Sequence, residues 1–343
     1  MTWFDESRLD DERALATIDQ LLRSLAGSGA RIRREAADAA EALQEAVRRA
    51  AETGRPRAVV AAGPDSRLLR AVLEPFCPVP FVAWPAPGLP GWAGSLDLVV
   101  VLAPTGSDPG EASAAAEAVR RGAQLVVAAP AGSLVAQHSE GRDSTLIPVE
   151  SGDTLATAIL MLTYLNSIGL GPEADADNVA DALDDVATSC SPHQDISVNP
   201  GKILALSLAD SLPVVWGGSV LAARAARRVA EGLRRASGRG AIAGDADDLL
   251  PVIEAARPRN VFDDPFAEEQ AVARPVLVVL DDGATDEIML GQRRSLTEAA
   301  DARGVRVEVV EAGTNTEVGR YASLLLQGTY AAEYLRLGLV ADE

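Results

Sequence analysis

Residues 96–130 constrain the fold more than any other stretch. The apolar run Leu98-Val99-Val100-Val101-Leu102 stops at a small-residue loop, Ala103-Pro104-Thr105-Gly106-Ser107. Asp108 and Pro109 then open an alanine-rich helix that leads to a second run, Leu125-Val126-Val127-Ala128. The order strand, loop, helix, strand is the unit of a parallel sheet, and parallel sheets bind ligands at the carboxyl ends of their strands. A loop of Thr, Gly and Ser at that end offers hydroxyls and backbone N–H groups, so Thr105, Gly106 and Ser107 become candidate ligand contacts. The role they suggest is recognition of a small polar molecule.

The same alternation fills the rest of the chain. An earlier strand at Ala58 to Ala62 turns through Gly63-Pro64-Asp65-Ser66 into a helix carrying Leu68, Leu69, Val72 and Leu73, which adds Ser66 to the candidates. Strands are expected at Pro80 to Trp84, Thr145 to Val149, Pro213 to Trp216, Pro275 to Leu280 and Val305 to Val310. Between and after them lie helical patterns at Thr154 to Ile168, Val220 to Ala236, Asp286 to Ala302 and Glu317 to Leu337, and Asn199-Pro200 supplies an N-cap and first turn for a helix through Ala209. At the start, Leu15, Ile18, Leu22 and Leu25 share one helical face up to Gly27-Ser28-Gly29, and Ile32, Ala36, Leu43 and Val47 form a second. The fold class is α/β: two parallel sheets flanked by helices, behind an N-terminal helical arm over 1–54, with domains over 55–168 and 169–343 joined through the acidic Pro172 to Asp185 segment.

Composition removes several functions. With 50 acidic against 31 basic residues the formal charge is -19, which repels phosphate backbones and anionic membranes, so no nucleic acid and no membrane partner is expected. No apolar run approaches a bilayer span, and the acidic start has no signal pattern, which fits a cytoplasmic protein. Cys77 and Cys190 stand far apart without metal spacing, so neither a disulfide framework nor a zinc site is supported. No GxGxxG follows a leading strand, and no cofactor is expected. His138 and His193 read as surface imidazoles and Lys202, the only lysine, as a solvated helix-start residue. The cluster Arg224, Arg227, Arg228, Arg234, Arg235 and Arg239 reads as a solvated helix face, and Asp245-Ala246-Asp247-Asp248 as a loop able to pair with it.

Over about 56–343 the chain resembles the SIS (sugar isomerase) proteins, in particular the bifunctional phosphoglucose/phosphomannose isomerases. The resemblance rests on Asn199-Pro200-Gly201-Lys202, Pro213-Val214-Val215-Trp216-Gly217, Ala312-Gly313, and the last helix through Tyr321-Ala322-Ser323-Leu324-Leu325-Leu326-Gln327-Gly328 and Tyr330 to Leu335. It implies two SIS-like domains, a sugar or sugar-phosphate ligand and a homodimer, with the apolar N-terminal helices and Leu324, Leu325 and Leu326 needing partners.

The departures from that family are chemically selective. Its first sheet cradles sugar phosphate with a Ser-x-Ser-Gly-Asn-Thr loop; here the matching positions read Ala103-Pro104-Thr105-Gly106-Ser107-Asp108. Asp108, Pro109 and Glu111 make an N-cap and capping-box pattern, so the protein supplies its own anion there. Arg235 stands where the family's catalytic Glu falls and Pro251-Val252-Ile253-Glu254 where its His falls, and the chain reaches Ala341-Asp342-Glu343 without the family's terminal Lys. No catalytic residue is assigned. The reading favoured is a relative that binds a carbohydrate derivative or a metabolic partner with isomerase catalysis lost. The alternative is an active isomerase converting glucose 6-phosphate or mannose 6-phosphate to fructose 6-phosphate.

Overall fold

A computed structural model describes residues 2–256, 273–313 and 316–341; Asp342 and Glu343 lie outside the described residues. The chain opens with strand β1 (Thr2–Phe4), a 3-10 turn (Glu6–Leu9) and helices α1 (Glu12–Ala16) and α2 (Asp19–Ala26). The single helix expected through Leu15 and Leu25 is therefore two. Thr17 and Ile18 donate their N–H groups to Ala14 and Leu15, three residues back, and the Thr17 hydroxyl also donates to the Ala14 carbonyl at 2.6 Å, which ends α1. Only Gly27 interrupts the chain afterwards, because Ser28 and Gly29 already belong to the next helix.

Residues 28–181 form one compact unit. It contains α3 (Ser28–Asp38), α4 (Ala40–Thr53), β2 (Val59–Ala62), α5 (Ser66–Leu73), β3 (Phe81–Trp84), β4 (Leu98–Leu102), α6 (Pro109–Arg120), β5 (Gln124–Ala129), α7 (Leu134–His138), β6 (Ser144–Pro148) and α8 (Thr154–Ser167). Its sheet runs β3-β2-β4-β5-β6 with every pair parallel. All five residues of β4 are buried, as a strand covered on both faces requires. Ala112, Ala114, Ala115 and Ala118 are buried on α6, and their small side chains let that helix lie close on the strands.

Helix α9 (Ala176–Ser189) occupies the stretch read as an acidic connector. Val179, Ala180, Leu183 and Val186 are buried at helical spacing, and the aspartates between them take the other faces.

Residues 1–27 and 182–343 form the other unit. After α10 (Pro200–Leu208) come β7 (Ser211–Gly217), α11 (Val220–Ser237), β8 (Ile242–Ala243), α12 (Ala246–Glu254), β9 (Arg274–Asp281), α13 (Glu287–Arg303), β10 (Arg306–Glu311), α14 (Glu317–Gly338) and β11 (Leu339–Ala341). The main sheet runs β10-β9-β7-β8, all parallel, while β1 pairs antiparallel with β11. Two glycines permit close approaches: a Cβ at Gly328 would collide with the Val229 side chain, and one at Gly338 with the Phe4 ring. Leu324 and Leu326, expected to await a partner, are buried within the chain on α14, which packs along α11.

Lys202 is also a correction. It is fully buried, and its ammonium donates to Asp10 Oδ1 at 2.6 Å and to the carbonyls of Pro192 and Gln194 at 3.0 and 2.9 Å. Three acceptors satisfy its three donors, so the lysine pins the N-terminal segment to the start of α10 rather than meeting solvent.

Candidate functional site at the first sheet's switch point

In an open parallel sheet a crevice forms where successive connections leave in opposite directions, outside the carboxyl ends of the two strands concerned. In the first unit that point lies between β2 and β4. The loops leaving them are Gly63 to Asp65 and Ala103 to Asp108, which contain or adjoin all four sequence candidates.

Thr105 and Ser107 are exposed, with their hydroxyls 3.1 Å apart. Gly106 plays a different part. It holds φ +65°, its carbonyl accepts from Val135 N–H at 3.1 Å, and a Cβ there would collide with the Ser133 side chain. It docks the loop on the start of α7. Ser66 is fully buried, and its hydroxyl has no hydrogen-bond partner.

The residue that sequence reasoning assigned only to capping is Glu111. Asp108 Oδ1 accepts from Glu111 N–H at 2.9 Å, which is one half of the capping box. For the other half, Glu111 would turn its carboxyl back to the Asp108 N–H. Instead the side chain lies against Gly63, where a Cβ would sit 3.0 Å from Glu111 Cγ. Only 4% of Glu111 is exposed and its Oε2 has no partner. Burial, then the neighbouring charge of Asp108, then that of Asp65, push its carboxyl up to about 8, so it is neutral at pH 7. Trp84, ending β3 beside Gly63, likewise has a buried Nε1 with no partner. The sequence clue to Glu111 was an acid one helical turn into an otherwise alanine-lined face.

Elsewhere along this edge the protein answers its own N–H groups with its own oxygens. Asp153 caps α8, accepting from Leu155 and Ala156 at 2.9 and 3.2 Å, and is held by Arg31 at 2.8 Å. Buried Glu35 accepts from Glu150 N–H at 2.9 Å and from Ser151 N–H at 2.5 Å in the loop before it. Ser133 caps α7. Thr154 reaches Asp65 at 3.4 Å.

The second sheet has its switch point between β7 and β9, and internal bonds cross it. Ser219 caps α11 at 3.0 Å and donates its hydroxyl to the Asp282 carboxylate; Arg320 donates to the Asp282 carbonyl at 2.6 Å, and Arg293 holds Asp281 at 2.5 Å. His138 and His193 are exposed. The arginine face of α11 is largely paired: Arg228 and Arg235 with Glu231, Arg227 with Asp245 at 3.8 Å, Arg234 with the Ala241 carbonyl at 2.7 Å. Asp245 to Asp248 are the N-cap and first turn of α12 rather than a loop. Among the described residues no three His, Cys, Asp or Glu side chains are placed to share a metal ion, and no helix is long and apolar enough to cross a membrane.

Residues 197–339 match the family described as the bacterial phospho-glucose isomerase C-terminal SIS domain. Solved structures extend the likeness, at the level of fold, to both SIS-like halves. A glucose-6-phosphate isomerase like protein from Thermus thermophilus is 17% identical, with 96% of this chain and 92% of that one covered and a TM-score of 0.56. The tagatose-6-phosphate ketose/aldose isomerase of Escherichia coli is 12% identical over 92% of each chain, with a TM-score of 0.62. The C-terminal domain of glucosamine-fructose-6-phosphate aminotransferase from Francisella tularensis is 11% identical over 91% of this chain and 98% of that one, with a TM-score of 0.59. No curated protein matches the sequence.

Proposed function

We propose that this SIS-domain protein binds a carbohydrate derivative at the carboxyl edge of its first sheet and does not interconvert aldose and ketose phosphates. One observation carries the reading: on α6 and α8, and in the loop before α8, the N–H groups along that edge that could hold a phosphate already hold carboxylates of the protein. Asp108 sits on the N-terminus of α6, Asp153 on that of α8 and Glu35 on the Glu150 and Ser151 amides, while burial first, and then the charges of Asp108 and Asp65, hold Glu111 neutral. A phosphate would compete with these groups for the same positive helix ends. Isomerisation also needs a base to move a proton between adjacent carbons. Arg235, at the position of the family's Glu, lies on the exposed face of α11 paired with Glu231, and Pro251 to Glu254 end α12 with Ile253 buried. Arg235 offers no base, and the one carboxylate of the second stretch, Glu254, is exposed at the end of α12.

The test is a coupled isomerase assay with glucose 6-phosphate and mannose 6-phosphate. The expected result is no turnover above background, and turnover in the ordinary enzyme range of about 1–10³ s⁻¹ overturns the reading. We place the protein in the cytoplasm as a homodimer, with exposed Val220, Ile288 (72% exposed) and Leu290 on the second unit as the surface to be covered. Light scattering at monomer mass contradicts the dimer.

A further inference from the structure

Two polar groups at the first switch point, Ser66 Oγ and Glu111 Oε2, are buried without a partner, and so is Trp84 Nε1 at the end of the neighbouring β3. A buried polar group without a hydrogen bond is costly, so two at one crevice mark a place completed by something else. The edge carries two half-buried carboxylates, Asp65 and Asp108, beside the third, buried one. We infer that, granted the carbohydrate-binding reading above, the edge formed by Asp65, Ser66, Asp108 and Glu111 receives the ammonium group of an amino sugar, and that Glu111 loses its proton to solvent as the ligand docks.

The chemistry of the surroundings selects that cation. The charges acting on Glu111 are Asp108, from the start of its own helix, and Asp65, from the β2–α5 loop, and both are negative. The strands beneath α6, β4 and β5, carry no acidic or basic side chain, and α7 carries only His138, which is exposed. Asp153 on the neighbouring α8 is already matched by Arg31. A bare metal ion is disfavoured because no three acidic, imidazole or thiol groups among the described residues are placed to share one. An ammonium carried on a sugar ring reaches its acceptors at about 2.7–2.9 Å and brings hydroxyls for groups such as Ser66 and Trp84. Its positive charge reverses the balance that keeps the Glu111 proton in place, so binding and proton release are one event.

Calorimetry on the full chain tests this at about pH 6.5, where a sugar amine is protonated. Glucosamine, glucose and glucose 6-phosphate are each titrated in two buffers of different ionisation enthalpy. Glucosamine is expected to bind about tenfold or more tighter than glucose and to release about one proton per ligand. Glu111→Gln, which keeps the shape of the neutral carboxyl, is expected to bind it without releasing a proton. The pair Asp65→Asn and Asp108→Asn is expected to erase the preference for glucosamine. Equal binding of glucose and glucosamine with no proton released overturns the ammonium inference and leaves the carbohydrate reading standing. Preference for glucose 6-phosphate over both, or no binding of any of the three at millimolar concentration, overturns the reading on which the inference rests.

Discussion

Glu111→Gln should change how stability depends on pH. In the folded chain the Glu111 carboxyl titrates at about 8, against 4.5 for the unperturbed group. Below about pH 4.5 it is protonated in both states, and the folded chain has the full benefit. Between there and about pH 8 the unfolded chain has lost the proton and the folded chain retains it, so unfolding releases a proton and stability falls as pH rises. The slope is about 1.4 kcal/mol per pH unit, which over two units in this window amounts to about 2–3 kcal/mol. Gln cannot titrate, so the variant keeps what the wild type loses, and all other titrating groups cancel in the comparison. Hydrogen exchange at Val99, Val100 and Val101 of β4, in the sheet that α6 covers, measures opening of this unit by itself. The protection free energies of the two proteins should diverge by that amount between about pH 5.5 and 7.5, with the variant gaining relative to the wild type as pH rises. Parallel profiles would show that Glu111 is ionised at neutral pH and that the reasoning about its burial is wrong.

Other perturbations have equally definite outcomes. Lys202→Met removes a fully buried ammonium and strands the Pro192 and Gln194 carbonyls, so urea unfolding should register a loss of about 2–4 kcal/mol, whereas Asp10→Asn at the half-exposed end should lose about 1 kcal/mol or less. Gly106→Ala places a Cβ against Ser133 in a backbone conformation that disfavours any side chain, with an expected loss of about 2–4 kcal/mol in the first unit by the same measurement. Burial pushes the Cys190 thiol up to about 11, so a thiol-labelling reagent should modify Cys77 in the native protein and reach Cys190 only on unfolding.

The architecture was legible because its signals are local and redundant. Strand β4 is a continuous apolar run, Asp108-Pro109 and Asn199-Pro200 mark helix starts, and both features survive tertiary context. The helix α9 within the acidic stretch was not legible because its aspartates dominate the composition while Val179, Leu183 and Val186 carry the helical period. The pairing of β1 with β11 joins the two ends of the chain, a relation that no window of sequence contains. The candidate site was legible as two loops, since strand ends can be read from pattern alone. Its chemistry was not. Whether Glu111 turns back to its own helix or lies on Gly63 depends on how closely α6 approaches β2, and whether Lys202 is solvated depends on Asp10, distant in sequence, arriving over it.

On the proposed reading, the protein's own carboxylates take the place of phosphate at the first switch point. Titration of glucose 6-phosphate into the wild type and into the double variant Asp65→Gly, Asp108→Thr, followed by calorimetry, tests it most directly. The wild type is expected to show no measurable binding at sub-millimolar ligand, and the double variant, whose α6 N-terminus is freed of its carboxylate, a gain of binding. Micromolar binding of glucose 6-phosphate by the wild type, weakened in the double variant, would contradict it.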